Sequence, residues 1–219
     1  MTPADPLSEH LALADWRRRV HAMYAALRAD ERPGPMRAVA FRAAKDRLVA
    51  EHPSSPVPTT VRRDFRGLAY WRHADDLILR ATLEPDPGAP AIGVPRSGEG
   101  LGIPFRRIGW VSFRVGDTAC RLSVFWLEEY AGGIFIPFRD GTSGSTSYGG
   151  GRYLWDSAKG ADLGTTDDGK LVLDFNYAYH PSCVFDPRWS CPLAPQENWL
   201  DVPIQAGERL DRAAGEEAA

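Results

Sequence analysis

The spacing of apolar residues changes once along this chain. They recur every three to four positions up to about residue 52, and every second position beyond about residue 65. Leu13, Trp16, Val20, Met23, Tyr24 and Leu27 fall on one face of a helix over 7–30. The run Glu-Arg-Pro-Gly-Pro at 31–35 breaks it. Met36, Val39, Phe41, Ala44 and Leu48 then mark a second helix, ended by His52-Pro53. Two helices with one apolar stripe each need a larger body to pack against, and residues 54–60 read as the connector to it.

That body reads as β. Leu77, Leu79, Ala81 and Leu83 alternate with Ile78, Arg80 and Thr82, which is strand patterning. Residues 85–102 are rich in Pro and Gly and read as a loop. Val111, Phe113 and Val115 lead into Gly116-Asp117, and Cys120, Leu122, Val124 and Trp126 lead out, facing one side. This predicts an antiparallel hairpin of 105–115 with 118–127. Further strands are expected at 134–138 and 171–175. Strand following strand without helical patterns between them argues against βαβ units. The expected fold is mainly β, α+β by strict count: an antiparallel barrel-like or sandwich-like sheet with two N-terminal helices packed outside. The corresponding division is a helical arm at 1–55, an antiparallel β domain at 56–210 and a disordered, Ala/Glu-rich tail at 211–219.

Charge and cysteine usage narrow the partners. The 219 residues carry a formal net charge of −3, so bulk charge favours neither a nucleic-acid nor an anionic-membrane partner. The first thirty residues include Glu9, Asp15, Arg17, Arg18 and Arg19 and lack the apolar core of a leader peptide, and no stretch is apolar enough to span a membrane. The three cysteines, Cys120, Cys183 and Cys191, are an odd set that fits a reducing compartment, so a cytoplasmic location is expected. A Cys183–Cys191 disulfide is compatible with their spacing. The sequence does not specify an oligomeric state.

Three segments carry candidate chemistry. Residues 137–152 are rich in Gly and small hydroxyl side chains, flanked by Arg139 and Arg152, which suit a carboxylate or phosphate. No Lys-Ser/Thr follows the glycines, so this is not a P-loop, and Gly149-Gly150-Gly151 follows no Rossmann strand. The competing reading is a flexible hairpin loop with solvated arginines. In the second segment, 174–183, Asn176 and Tyr177 suit ligand hydrogen bonds and Tyr179 suits stacking; Asp174 and Asn176 equally suit capping of the next turn. The third holds Cys183, Cys191, Glu197 and Asn198. His180, Cys183 and Cys191 fall one ligand short of a structural zinc site, so no metal is expected. Cys183 with His180 as base would make a nucleophile, against the plainer reading of buried thiols.

In order along the chain stand Trp16-Arg17, Ser55-Pro56, Phe65-Arg-Gly-Leu-Ala-Tyr70, Pro137-Phe-Arg-Asp-Gly-Thr-Ser-Gly144, Tyr148-Gly-Gly-Gly-Arg-Tyr153, Asp174-Phe-Asn176 and Cys191-Pro-Leu-x-Pro followed by Glu197-Asn198. Together these resemble the bacterial and archaeal family labelled domain of unknown function 1684, over about residues 10–209. The resemblance implies placement without a reaction. The polar positions shared with the family pattern are Arg139, Asp140, Arg152, Asn176, Cys183, Cys191, Glu197 and Asn198. The family pattern has Asn where this chain has His180, which weakens His180 as ligand or base.

The functional expectation is an enzyme acting on a small anionic organic molecule. Asp140, Cys183 and Glu197 would be catalytic, and Arg139, Tyr148, Arg152, Asn176 and Asn198 ligand-binding. No motif names a cofactor. The alternatives are a non-catalytic small-molecule binding module, or structural use of the shared polar residues. Under the first two readings, Arg139, Arg152 and Asn176 converge on one pocket that Glu197 and Asn198 close.

Overall fold

The computed structural model describes residues 6–97, 102–128 and 132–210. The expected tail at 211–219 lies outside the described residues. Helices α1 (Pro6–Arg28) and α2 (Gly34–Glu51) come first, then a short α3 (Thr59–Arg62). Ten strands follow among the described residues: β1 (Ala69–Tyr70), β2 (Ile78–Ala81), β3 (Leu83–Pro85), β4 (Ala91–Val94), β5 (Ile103–Val115), β6 (Thr118–Leu127), β7 (Ile134–Phe138), β8 (Arg152–Asp156), β9 (Leu171–Asp174) and β10 (Glu208–Arg209). The named strand pairs are all antiparallel. The fold is mostly β, with two N-terminal helices.

The main sheet runs β3-β5-β6-β7-β8, with β4 on the same edge of β5 as β3. The β5–β6 hairpin is its spine, turning at Gly116-Asp117 between Val115 and Thr118 as the alternation predicts. A bulge between Arg107 and Gly109 lets β5 pair with β4 on one side of it and β3 on the other. The sheet does not close into a barrel among the described residues. Two small pairs, β2–β9 and β1–β10, join segments far apart in the chain.

The residues buried in β6 follow from two cores. Cys120, Leu122 and Val124 point into the larger one, with Val111, Ile136, Phe138, Leu173 and Phe175. Phe125 points the other way, onto Phe105, Phe135, Tyr153 and Val94. Trp126, expected on the same side as Cys120, Leu122 and Val124, is at 42% among the exposed large hydrophobics, with its ring against Gly132.

Three other expectations are corrected. The strand read from Leu77 to Leu83 is a 3₁₀ turn, β2 and β3, which belong to different sheets. The Pro/Gly-rich stretch 85–102 contains β4, paired from Ala91↔Arg106 to Val94↔Ile103. The apolar stripe of α2 is also rotated. Met36 and Val39 face solvent at 55% and 68%, while Ala38, Phe41 and Val49 are buried. On α1, Tyr24 and Leu27 are buried and Val20 and Met23 pack against the same cluster. Tyr24, Phe41 and Tyr177 form a chain of edge-on rings, each pair 5.0 Å apart, which fastens both helices to the β body.

Candidate functional site

The polar residues singled out in the sequence are mostly fasteners. Arg152, at the start of β8, is 1% exposed, its guanidinium lying over the rings of Trp71 and Phe138. It donates to Asp140 Oδ2 (2.9 Å) and to the carbonyls of Ile204 (2.7 Å), Ala206 (2.5 Å) and Glu208 (3.1 Å). Asp140 is held further by the hydroxyl of Thr142 (2.7 Å) and the backbone N–H of Ile204 (2.7 Å). The 139–151 connection is therefore packed, with Thr142 and Ser147 buried, rather than a floppy loop.

The two asparagines each imitate a peptide unit. Asn198 Oδ1 accepts from Ser123 N–H (2.8 Å), while Nδ2 donates to the carbonyls of Ser123 (3.0 Å) and Pro137 (2.7 Å). Pro137 has no N–H, and the β6–β7 ladder is confined to Phe125↔Phe135 and Trp126↔Ile134. The Asn198 amide supplies a rung where the ladder cannot continue. Asn176 does the same for Ala74, accepting from its N–H (2.8 Å) and donating to its carbonyl (2.9 Å), and its Nδ2 also reaches Asp174 (2.8 Å). Glu197 accepts from Arg107 (2.7 Å) and Ser123 Oγ (2.6 Å), and Arg139 lies 4.0 Å over the Trp199 ring.

The expected convergence is thus corrected. Arg152 turns inward onto residues 204–208, Arg139 turns onto Trp199, and Asn176 and Asn198 bind separate backbones. Four predicted residues do meet in pairs: Asp140 with Arg152, and Tyr148 with Cys183, which lie side by side next to Cys191. Among the described residues no three His, Cys, Asp or Glu side chains gather to hold a metal, and no helix is long and apolar enough to cross a membrane.

The structure offers a different site. Between α1, α2 and the β body lies a cavity of about 250 Å³, just below the roughly 300–1,000 Å³ of typical ligand pockets. Leu13, Trp16, Val20, Met23, Leu48 and Pro56 give it apolar walls. Arg17, Lys45, Lys159, His180 and Glu208 supply the charged and polar lining. A wider groove of about 610 Å³ follows the outer seam of the two helices, but it is open and its Asp15 is already bonded to Arg19 and His52.

Lys45 continues the inward stripe of α2 one turn after Phe41. Its Nζ meets Glu208 Oε1 at 2.5 Å and sits 4.5 Å over the Tyr179 ring. Glu208 is 2% exposed, so Lys45 offsets a burial that would otherwise strongly disfavour the carboxylate. Its Oε2 accepts from His180 N–H at 2.8 Å. His180 Nε2 accepts from Tyr148 N–H at 3.3 Å, which leaves the ring proton on Nδ1, 3.7 Å from Glu208. Burial pulls His180 down to about 4, so it is neutral at physiological pH. On the opposite side Lys159 pairs with Asp156 (2.7 Å), which also accepts from Tyr179 Oη (3.3 Å). The reading of the sequence missed Lys45 and Glu208. The visible signal was a lysine at a helical spacing reserved for apolar side chains.

The family profile described as "Protein of unknown function (DUF1684)" matches residues 63–209. An uncharacterized protein of Haloarcula marismortui, solved in solution by NMR, is similar at 34% identity with a TM-score of 0.59, over 80% of this chain and 94% of that one. No curated protein matches the chain.

Proposed function

Because the chain belongs to the family described as protein of unknown function (DUF1684), whose description carries no reaction, we propose a role from the cleft alone: it binds a small, largely apolar organic molecule bearing one anionic group, between the helical arm and the β body. The observation that carries this reading is the lining itself. Apolar walls surround a cavity where three cations, Arg17, Lys45 and Lys159, stand against one carboxylate, Glu208. Lys45 is already neutralised by Glu208 and Lys159 by Asp156. Exposed Arg17 at the rim is left to meet an incoming carboxylate while the apolar part enters. Binding is favoured over catalysis because Asp140, Cys183 and Glu197 lie in three separate networks.

Thermal melts and calorimetry of the full chain against straight-chain and aryl monocarboxylates, each beside its primary amide, test this. The acids should raise the melting temperature and the amides should not. Arg17→Gln should weaken binding about tenfold, equivalent to about 1.4 kcal/mol. Equal stabilisation by the amides, or none by any acid, would remove the proposal.

A further inference from the structure

A second cluster of reactive side chains lies next to the cleft and does not depend on any ligand there. Residues 191–193 are laid along 95–97: Ser97 N–H donates to Cys191 O (2.8 Å), Cys191 N–H to Ser97 Oγ (2.9 Å) and Leu193 N–H to Pro95 O (2.7 Å). Cys191 is thereby held in place, and it is buried. Cys183 sits in the 3₁₀ turn Ser182–Val184, closed by Val184 N–H on Pro181 O (3.1 Å), and remains half-buried. The turn brings its sulfur beside the Cys191 thiol and the Tyr148 and Ser97 hydroxyls. Ser97 directs its single hydroxyl proton at Trp189 O (3.2 Å), so Cys191 and Tyr148 are the donors left for a thiolate at Cys183. Both cysteines are free thiols.

We propose that Cys183 and Cys191 are a redox-active dithiol, which a low-molecular-weight disulfide converts to an intramolecular disulfide. Cys183 is the attacking group, because it is the more exposed and the better supplied with donors. The bond from the Cys191 thiol, with help from Tyr148, brings Cys183 down to about 6, while donating that bond, together with burial, pushes Cys191 up. The Cys183 thiolate attacks one sulfur of the external disulfide. That S–S bond breaks, and one small thiolate leaves and takes a proton from solvent. Cys191 then yields its proton to solvent, and its sulfur attacks Cys183 Sγ. The Cys183–Cys191 bond forms as the second small thiolate leaves and is protonated. Two electrons and two protons pass from the protein to the external disulfide. Cys120, buried with its Sγ on Thr118 O (3.8 Å), is the internal control.

The experiment treats the full chain with oxidised glutathione, unfolds it in N-ethylmaleimide, and maps the products by mass spectrometry. The wild type should lose the mass of two hydrogens, carry one maleimide at Cys120, and yield a Cys183–Cys191 linked peptide. Cys191→Ser should trap glutathione on Cys183, and Cys183→Ser should leave Cys191 unmodified. Should the variants fail to fold, maleimide labelling of native wild type must reach Cys183 before Cys191 and Cys120. A stable glutathione adduct on wild-type Cys183, equal reaction at Cys120, or no reaction at all overturns the proposal.

Discussion

Arg152 is the bulkiest side chain with less than 2% exposure among the described residues, and it carries a full charge. Its removal strands Asp140, which is itself buried, and takes the donor from three carbonyls. Arg152→Met should therefore destabilise the protein by about 3–5 kcal/mol, read from urea unfolding. A loss under about 1 kcal/mol would mean the pair does not hold the fold. His180 makes a pH-dependent contribution. Buried and neutral, it takes a proton only near 4, whereas the unfolded chain takes one near 6.5. Between those values the unfolded state binds more protons, so stability falls as pH drops through that window, by about 3 kcal/mol in all. Urea midpoints at pH 7 and 4.5 should differ less in His180→Asn than in wild type; an identical drop would remove His180 from the acid response. The sequence pointed to Asp140, Arg152, Asn176 and Asn198, yet not to what they do. An amide that stands in for a backbone rung has the same letters around it as one aimed at a ligand. Only the distant partner, Ala74 for Asn176 or Ser123 for Asn198, tells them apart.

Elements were legible where one face is buried and the partner is next in sequence. The β5–β6 hairpin meets both conditions. Strand β8 fails the first: all five of its residues are buried, so its sequence does not alternate. Strand β4 is hidden by the prolines and glycines around it, because its pairing comes from the long β5 rather than from its own pattern. The close approach of β3 to β5 depends on Gly109, where a Cβ would overlap the carbonyl oxygen of Glu84 on β3. Gly109→Val should cost about 1–3 kcal/mol in chemical denaturation, while Gly88→Ala, with open space around it, should be near neutral. Equal stability for the two variants would show that β3 is not held against β5 there.

At the scale of the whole molecule, the order of helical arm then sheet was legible from the change of period. The closures β1–β10 and β2–β9 were not, since no local pattern names a partner on the far side of the chain. The arm covers Ala161, Tyr177 and Tyr179 and supplies the counter-ion to Glu208. Deleting 1–52 should leave that apolar surface and a buried carboxylate uncovered, and light scattering should show self-association. A truncated chain that stays monomeric with unchanged melting would contradict this account of the arm. The short stretch from Ile204 to Arg209 receives three hydrogen bonds from Arg152, gives its first N–H to Asp140, bonds Lys45 and pairs with β1. A ribosome makes it after every one of those partners. Until then Lys45 has emerged without its carboxylate and Arg152 without three of its four acceptors, so neither the arm nor the β8 edge of the sheet has its full set of buried partners during synthesis. The last buried partnerships of this protein are consequently completed late, and a nascent chain halted at residue 203 should present to the cell's quality control an unfinished core rather than a trimmed one.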